Sequence, residues 1–377
     1  MSWPKVKLGD VAPAIPVKNV NLDEDELVWQ LNLDQIESNT GKIVDKVKQP
    51  LSSAGSSTHF FNNEHVLYSK LRPYLNKVVV PDELGIATTE LVPMKPDQKR
   101  LNKEYLAYYL RSKPFVEWVS TQVSGAKMPR VVMSIFWQHE MPLPPLYEQE
   151  RIVSVLDKSN RLRQKREQAI KLADDFLRAT FLEMFGDPIE NPKGWNVKPL
   201  ADQIVHANNG ISRRRKEDTN EGDIVLRLQD VHYSGIAFDK ELNRIKLVDK
   251  EKQIARVEHD DLLFIRVNGN PNYVGRTAVF KSYIEPVYHN DHLIRIKLDN
   301  EYQSDFLCYL INSPFSRKLI AQQIKTSAGQ HTISQDGILK LMFYRPPIEL
   351  QEKFINIKNK IESIFYRKDK HEDLFAS

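Results

Sequence analysis

Arginine, lysine, asparagine and glutamine gather in a few glycine- or proline-bearing loops of this 377-residue chain. Those are the side chains that read nucleic acid: Arg and Lys bridge guanine O6 and N7 or hold phosphates, and Asn and Gln pair with adenine. In the first half the candidates are Lys70, Arg72 and Lys77, with Lys127 and Arg130 in the loop Ser124-Gly125-Ala126-Lys127-Met128-Pro129-Arg130. In the second half, Asn208-Asn209-Gly210-Ile211-Ser212 runs into four consecutive positive charges, Arg213, Arg214, Arg215 and Lys216. Arg266, Asn268, Asn270, Asn272 and Arg276 cluster in another loop with glycines, and Gln330 and His331 stand where the first half has Lys127 and Met128. Any one of these is as readily a solvated surface group. It is as a set that they point to DNA.

Other chemistries find less support. Asn270-Pro271-Asn272-Tyr273 is one residue away from the Asn-Pro-Pro-Tyr motif with which adenine methyltransferases hold a flipped base. A methyltransferase also needs a glycine-rich strand-to-helix turn for its methyl donor, and the 14 glycines form none with that context. His289-Asn290-Asp291-His292 carries metal-binding side chains but precedes a strand and has no counterpart at Ala87-Thr88-Thr89-Glu90. A structural histidine is the simpler reading. Cys308, the single cysteine, aligns with Tyr108 on a helix and reads as a core thiol, and it leaves no disulfide framework. No phosphate-cradling loop for ATP is present. The chain is therefore expected to hold no catalytic residues, no metal and no cofactor of its own.

What must position the DNA-facing loops is a unit that occurs twice. Pro144-Pro145-Leu146-Tyr147-Glu148-Gln149-Glu150-Arg151-Ile152 answers Pro346-Pro347-Ile348-Glu349-Leu350-Gln351-Glu352-Lys353-Phe354 at an offset of 202 residues. Tyr109-Leu110-Arg111-Ser112-Lys113-Pro114-Phe115 answers Tyr309-Leu310-Ile311-Asn312-Ser313-Pro314-Phe315 at an offset of 200. His65–Leu71 matches Asp260–Val267 in pattern, and Trp3 with Val6, Lys7 and Leu8 matches Trp195 with Val197, Lys198 and Leu200. Four blocks in the same order are a duplication.

Each copy reads as a mixed α/β domain followed by a helix. Val78–Val80, Glu90–Met94, Ile224–Leu228 and Leu293–Lys297 are short, branched, strand-like runs. Segments 102–112 and 303–312 have apolar residues at helical spacing and end at a proline. Prolines 144–145 and 346–347 mark each exit from the domain. Beyond the first exit, Ile152, Val155, Leu156, Leu162, Ala169, Ala173, Phe176, Thr180 and Met184 form a 3-and-4 seam, interrupted at Arg166 and stopped by Gly186 and Pro188. The second runs through Phe354, Ile357, Ile361, Ile364 and Phe365. Mutual packing of the two stripes is the economical way to hide both.

The fold class expected is α+β: two similar mixed α/β domains separated by two long antiparallel helices, a coiled coil with an internal pseudo-twofold repeat. The boundaries are 1–146 for the first domain, 147–186 for the central helical region, 187–346 for the second domain and 347–377 for the distal helical region. A helix of about 25 residues spans roughly 37 Å, commensurate with the ~34 Å between half-sites one DNA turn apart.

Composition agrees with a soluble, folded chain: 41% hydrophobic and 28% charged, with a net charge of +4. That balance excludes a histone-like coat of positive charge but permits local basic surfaces. No apolar run nears the roughly 18 residues of a membrane span, and Met1-Ser-Trp-Pro-Lys has no signal-peptide character. The expected setting is the cytoplasm, away from membranes.

These residues resemble the specificity subunits of type I restriction-modification systems. The likeness covers essentially the whole chain and rests on Phe60–Lys77, Pro144–Ile152, Phe185-Gly186-Asp187-Pro188 leading into Asn191-Pro192-Lys193-Gly194-Trp195, and Asp261–Arg276. The chain departs at Glu64-His65, where the family usually shows a Gly-Asp pair. The resemblance implies a DNA-binding restriction-system subunit in which each domain reads one half of a split, asymmetric site in double-stranded DNA. It implies helices that set the gap and dock two methyltransferase (M) subunits, with restriction/motor (R) subunits joining through these. S-adenosylmethionine, ATP and Mg would then bind the partner subunits. The alternatives are a stand-alone adenine methyltransferase built on Asn270–Tyr273 and an adaptor with no DNA role.

Overall fold

The computed structural model describes residues 3–18, 20–212, 221–233, 235–238 and 241–365. It divides into two compact units, Met1–Lys165 and Arg166–Ser377.

In the first unit a mixed four-stranded sheet has the order Lys48–Pro50, Leu27–Leu31, Gly85–Thr88, Thr58–Phe61. Its central pair is parallel, with Trp29 opposite Gly85. That glycine is required by the close approach: a Cβ there would stand 2.3 Å from the Phe61 ring. A second, antiparallel sheet runs Val78–Val79, Val66–Ser69, Leu91–Met94. The helices Lys103–Arg111 and Lys113–Thr121 cover it, burying Leu106, Leu110, Phe115 and Val119 against Val66 and Tyr68. Asn102 caps the first helix, its side chain accepting from Tyr105 N at 2.8 Å.

The second unit repeats the plan. Asp223–Leu226 pairs in parallel with Val287–His289, as Leu27–Leu31 does with Gly85–Thr88. The antiparallel sheet Ile204–Asn209, Leu293–Leu298, Leu262–Ile265, Thr277–Val279 is covered by the helices Ser304–Asn312 and Pro314–Gln323. Both units also close their ends alike. Lys5–Lys7 pairs with Glu140–Pro142 in one, and Val197–Pro199 with Met342–Tyr344 in the other.

The repeated Pro-Pro block acquires a physical meaning here. Gln149 is fully buried; its Oε1 accepts from Asn102 N at 2.8 Å, and its Nε2 donates to Arg100 O at 2.8 Å and Pro144 O at 2.7 Å. Gln351, equally buried, takes Gln303 N at 2.9 Å and gives to Glu301 O at 3.3 Å and Pro346 O at 2.8 Å. One side chain thus ties the start of the domain helix to the start of the exit helix in each copy. The departure at His65 is also accommodated. Its Nδ1 accepts from Asn62 N at 3.2 Å, the place where Asp261 Oδ2 accepts from Glu258 N at 2.7 Å in the second unit.

The exit helices are Leu146–Phe185, of 40 residues, and Ile348–Phe365, of 18. The seam differs from its expected register. Ala173 is buried as expected and Val155, Leu162 and Phe176 are exposed, whereas the other buried positions, Val153 in the first unit and Leu177, Phe181 and Phe185 in the second, lie outside the expected row. The aromatic wall explains the shift: Phe181 and Phe185 pack on Phe306 and Phe354 at centroid distances of 4.9–6.0 Å, contacts that the row 176, 180, 184 has no second aromatic ring to match. Among the described residues no helix is long and apolar enough to cross a membrane.

Candidate nucleic-acid interface

In each unit several of the described candidate residues converge where the end of a core strand meets a short hairpin. In the first, Val123–Ser124 pairs with Arg130–Val131, and Val131 N donates to Lys70 O at 2.9 Å while Arg72 N donates to Pro129 O at 2.8 Å. Lys70, Arg72, Lys127 and Arg130 therefore belong to one constellation. Arg72 and Lys127 are exposed, with no ion pair among the described residues. Arg72 holds the left-handed conformation, φ 50° and ψ 63°, directly before Pro73, an uncommon state for a side-chain-bearing residue. Two candidates are already engaged. Lys77 Nζ donates to Leu33 O at 2.6 Å, and Arg130 Nε pairs with Glu90 at 3.1 Å.

In the second unit Val267–Asn268 pairs with Gln330–Thr332, which pairs with Lys325–Ser327. Asn268 faces His331 in this ribbon, and Ile333 N donates to Arg266 O at 2.9 Å. That bond is the counterpart of Val131 to Lys70 and fixes the offset here at 202. Gln330 accordingly answers Met128, and His331 answers Pro129, one residue away from the sequence alignment with Lys127 and Met128. The chain then climbs through Asn270 and Asn272. Asn268 Oδ1 accepts from Asn270 N at 2.9 Å and Asn270 Oδ1 accepts from Asn272 N at 3.0 Å. The amide NH2 groups remain to donate to guanine O6 or N7, thymine O4 or phosphate, and each oxygen keeps a second lone pair that adenine N6 can use. His331 Nδ1 lies 2.8 Å from Thr326 Oγ1, leaving Nε2 as its other polar atom.

Arg266 Nη1 donates to Asp291 O at 3.1 Å. Arg276 is stacked between two rings, 3.9 Å from the centre of Tyr233 and 4.2 Å from Tyr273. Arg317, which the sequence did not single out, supports this loop from the helix Pro314–Gln323, its Nη2 donating to Pro271 O at 3.2 Å and Val274 O at 3.0 Å. Burial pulls its guanidinium below the usual arginine value, with Arg276 adding repulsion. Arg213, Arg214, Arg215 and Lys216 lie outside the described residues. The stretch that leads to them is held at Ile211, bridged to Asn290.

The residues of the rival sites are engaged within their own unit. Tyr273 N donates to Asn270 O at 3.1 Å, closing the Asn270–Tyr273 segment into a turn with its tyrosine ring against Arg276. His289 is fully buried, its Nδ1 2.9 Å from Ala255 O, and burial pushes its pKa down to about 4. Cys308 Sγ donates to Thr277 O at 3.5 Å beside the core. Among the described residues no three His, Cys, Asp or Glu side chains are grouped as a metal site.

A duplicated α/β scaffold thus carries two differently furnished basic and amide-rich loops. Residues 2–172 match the type I restriction modification DNA specificity domain. The StySPI type I restriction enzyme specificity subunit of Salmonella potsdam is 30% identical over 280 residues, 71% of this chain and 59% of that one. The EcoKI specificity subunit of Escherichia coli is 22% identical over 282 residues, 71% of this chain and 60% of that one. This chain thus spans about three fifths of the length of those relatives. A solved type I restriction-modification S subunit from M. genitalium aligns over 97% of this chain and 90% of its own, with a TM-score of 0.58 at 16% identity. A chain from a structural study of type I R-M complex assembly aligns over 97% and 92%, with a TM-score of 0.55 at 18% identity. The chain is thus similar to type I specificity subunits over residues 2–172 and over most of its length to two of them, and it shares the fold of a solved S subunit.

Proposed function

We propose that this chain is the non-catalytic, sequence-specific DNA-binding subunit of a type I restriction-modification complex, working in the cytoplasm. Each unit reads one half of a bipartite, asymmetric site, and the helical regions set the gap and dock two methyltransferase subunits. Restriction subunits join through these, and S-adenosylmethionine, ATP and Mg are held by the partner chains. The observation that carries the reading is the repeated strand-end and hairpin with different side chains on it. Lys70, Arg72, Lys127 and Arg130 furnish one copy; Arg266, Asn268, Asn270, Asn272, Gln330 and His331 furnish the other. A shared frame with exchanged donors is what two different base sequences demand.

Co-expression with the neighbouring methyltransferase subunit, followed by sequencing of modified bases, tests the reading. A two-part methylated site is expected, and exchanging residues 123–131 for another hairpin should change one part only. Methyl transfer by the purified chain alone would establish the stand-alone methyltransferase instead. Methylation that ignores changes in both units would leave only an adaptor.

A further inference from the structure

The hydrogen bonds of the two recognition loops place two tyrosines at one position. Ser69 N donates to Lys77 O as Ile265 N donates to Arg276 O, and Leu75 N donates to Arg72 O as Val274 N donates to Pro271 O. Lys77 therefore answers Arg276, and Asn76 (φ 51°) answers Gly275 (φ 76°), both left-handed. Tyr74 then answers Tyr273. The sequences around the two differ, yet each copy keeps this ring, 52% exposed at Tyr74 and 41% at Tyr273.

The turns beneath are rigid. Pro73 is buried, and Asn76 Nδ2 donates to Arg111 O at 3.1 Å. In the second unit Arg317 holds the carbonyls of Pro271 and Val274, and a Cβ on Gly275 would come within 2.6 Å of Ile320. Tyr273 is further braced by the Arg276 guanidinium. A tyrosine on such a turn offers a large amphipathic contact with little side-chain entropy to lose. Its neighbours, Lys70 and Arg72 or Arg266 and Asn270, are the donors already assigned to DNA.

We propose that Tyr74 and Tyr273 are the aromatic contacts of the two recognition loops, each laying its ring against a sugar-base edge of the half-site its own unit reads. The inference rests on the DNA-recognition reading above. Its test uses the full chain and a duplex carrying the methylation-mapped site, with Tyr74→Ala, Tyr74→Phe, Tyr273→Ala and Tyr273→Phe measured by fluorescence anisotropy. Each Ala variant should bind roughly tenfold more weakly and each Phe variant within about twofold of wild type. Discrimination should relax only in the half-site of the altered unit, with unfolding temperature unchanged. Wild-type affinity in both Ala variants would overturn the proposal. So would Phe variants as weak as Ala, since the hydroxyl and not the ring would then make the contact, or a weakening spread over both half-sites. A wild-type chain that ignores the duplex would instead undo the DNA reading itself.

Discussion

Replacing Gln149 by methionine keeps the length of the side chain but removes its donor and acceptor. Asn102 N and the carbonyls of Pro144 and Arg100 then lose their partner. Arg100 is exposed and its carbonyl can turn to water, whereas Pro144 is buried and Asn102 half-buried. Two orphaned groups at ~1–3 kcal/mol each, discounted for partial solvation, give a destabilisation of about 2–4 kcal/mol. At roughly 2–4 °C per kcal/mol for a unit of this size, unfolding should fall by about 4–16 °C. Calorimetry of the full chain measures the shift, and hydrogen exchange locates it. Amides of Lys103–Arg111 should exchange faster in Gln149→Met, and those of Ser304–Asn312 in Gln351→Met. A change below about 1 kcal/mol with unaltered exchange in both helices would refute the assignment, since these bonds would then contribute no more than water does.

The buried His289 makes the second unit acid-sensitive. Its folded pKa, near 4, lies below the ordinary histidine value of 6.5, so its contribution is complete above 6.5 and is lost as pH falls through 4. The loss is on the order of 3 kcal/mol, and His289→Phe should flatten that slope in urea titrations across this range. Arg72→Gly relieves a left-handed side chain while adding freedom to the unfolded state, so stability should hold or rise by up to about 1 kcal/mol. DNA affinity should fall in the same variant, and calorimetry with anisotropy reads the two opposed effects. Alanine at Arg213, Arg214 and Arg215 together should weaken DNA binding and reduce the log–log salt slope by about 0.9 for each phosphate no longer neutralised. An unchanged slope places that run away from DNA.

The sequence shows the duplication, the domain helices and the strand cores because apolar periodicity and proline punctuation are local signals. It announces the helix seam less faithfully. Leu172, Phe176, Leu177, Phe181 and Phe185 supply competing apolar rows, and only the rings of Phe306 and Phe354 decide that Leu177, Phe181 and Phe185 turn inward. Residue type likewise names Lys77, Arg130, Arg266 and Arg276 as cations without saying which are committed. Lys77 is tied to Leu33, Arg130 to Glu90, Arg266 to Asp291, and Arg276 lies between two tyrosines. Arg317 was illegible because its partners, Pro271 and Val274, are backbone carbonyls more than forty residues away.

The division of labour between kept and varied residues argues for the functional reading more strongly than the cations do. Gln149 and Gln351 are kept, along with the Pro-Pro exits, and every one of them serves the backbone. The turn bonds ending at Lys77 and Arg276, and the hairpin bonds ending at Lys70 and Arg266, are kept as geometry while the side chains above them change. Selection for stability alone would let the turns drift with their side chains, since a loop tolerates many backbones. Holding the frame and exchanging its donors preserves a docking surface while altering what it discriminates. Tyr74 and Tyr273 did not follow that exchange: each copy keeps an exposed ring on the same turn.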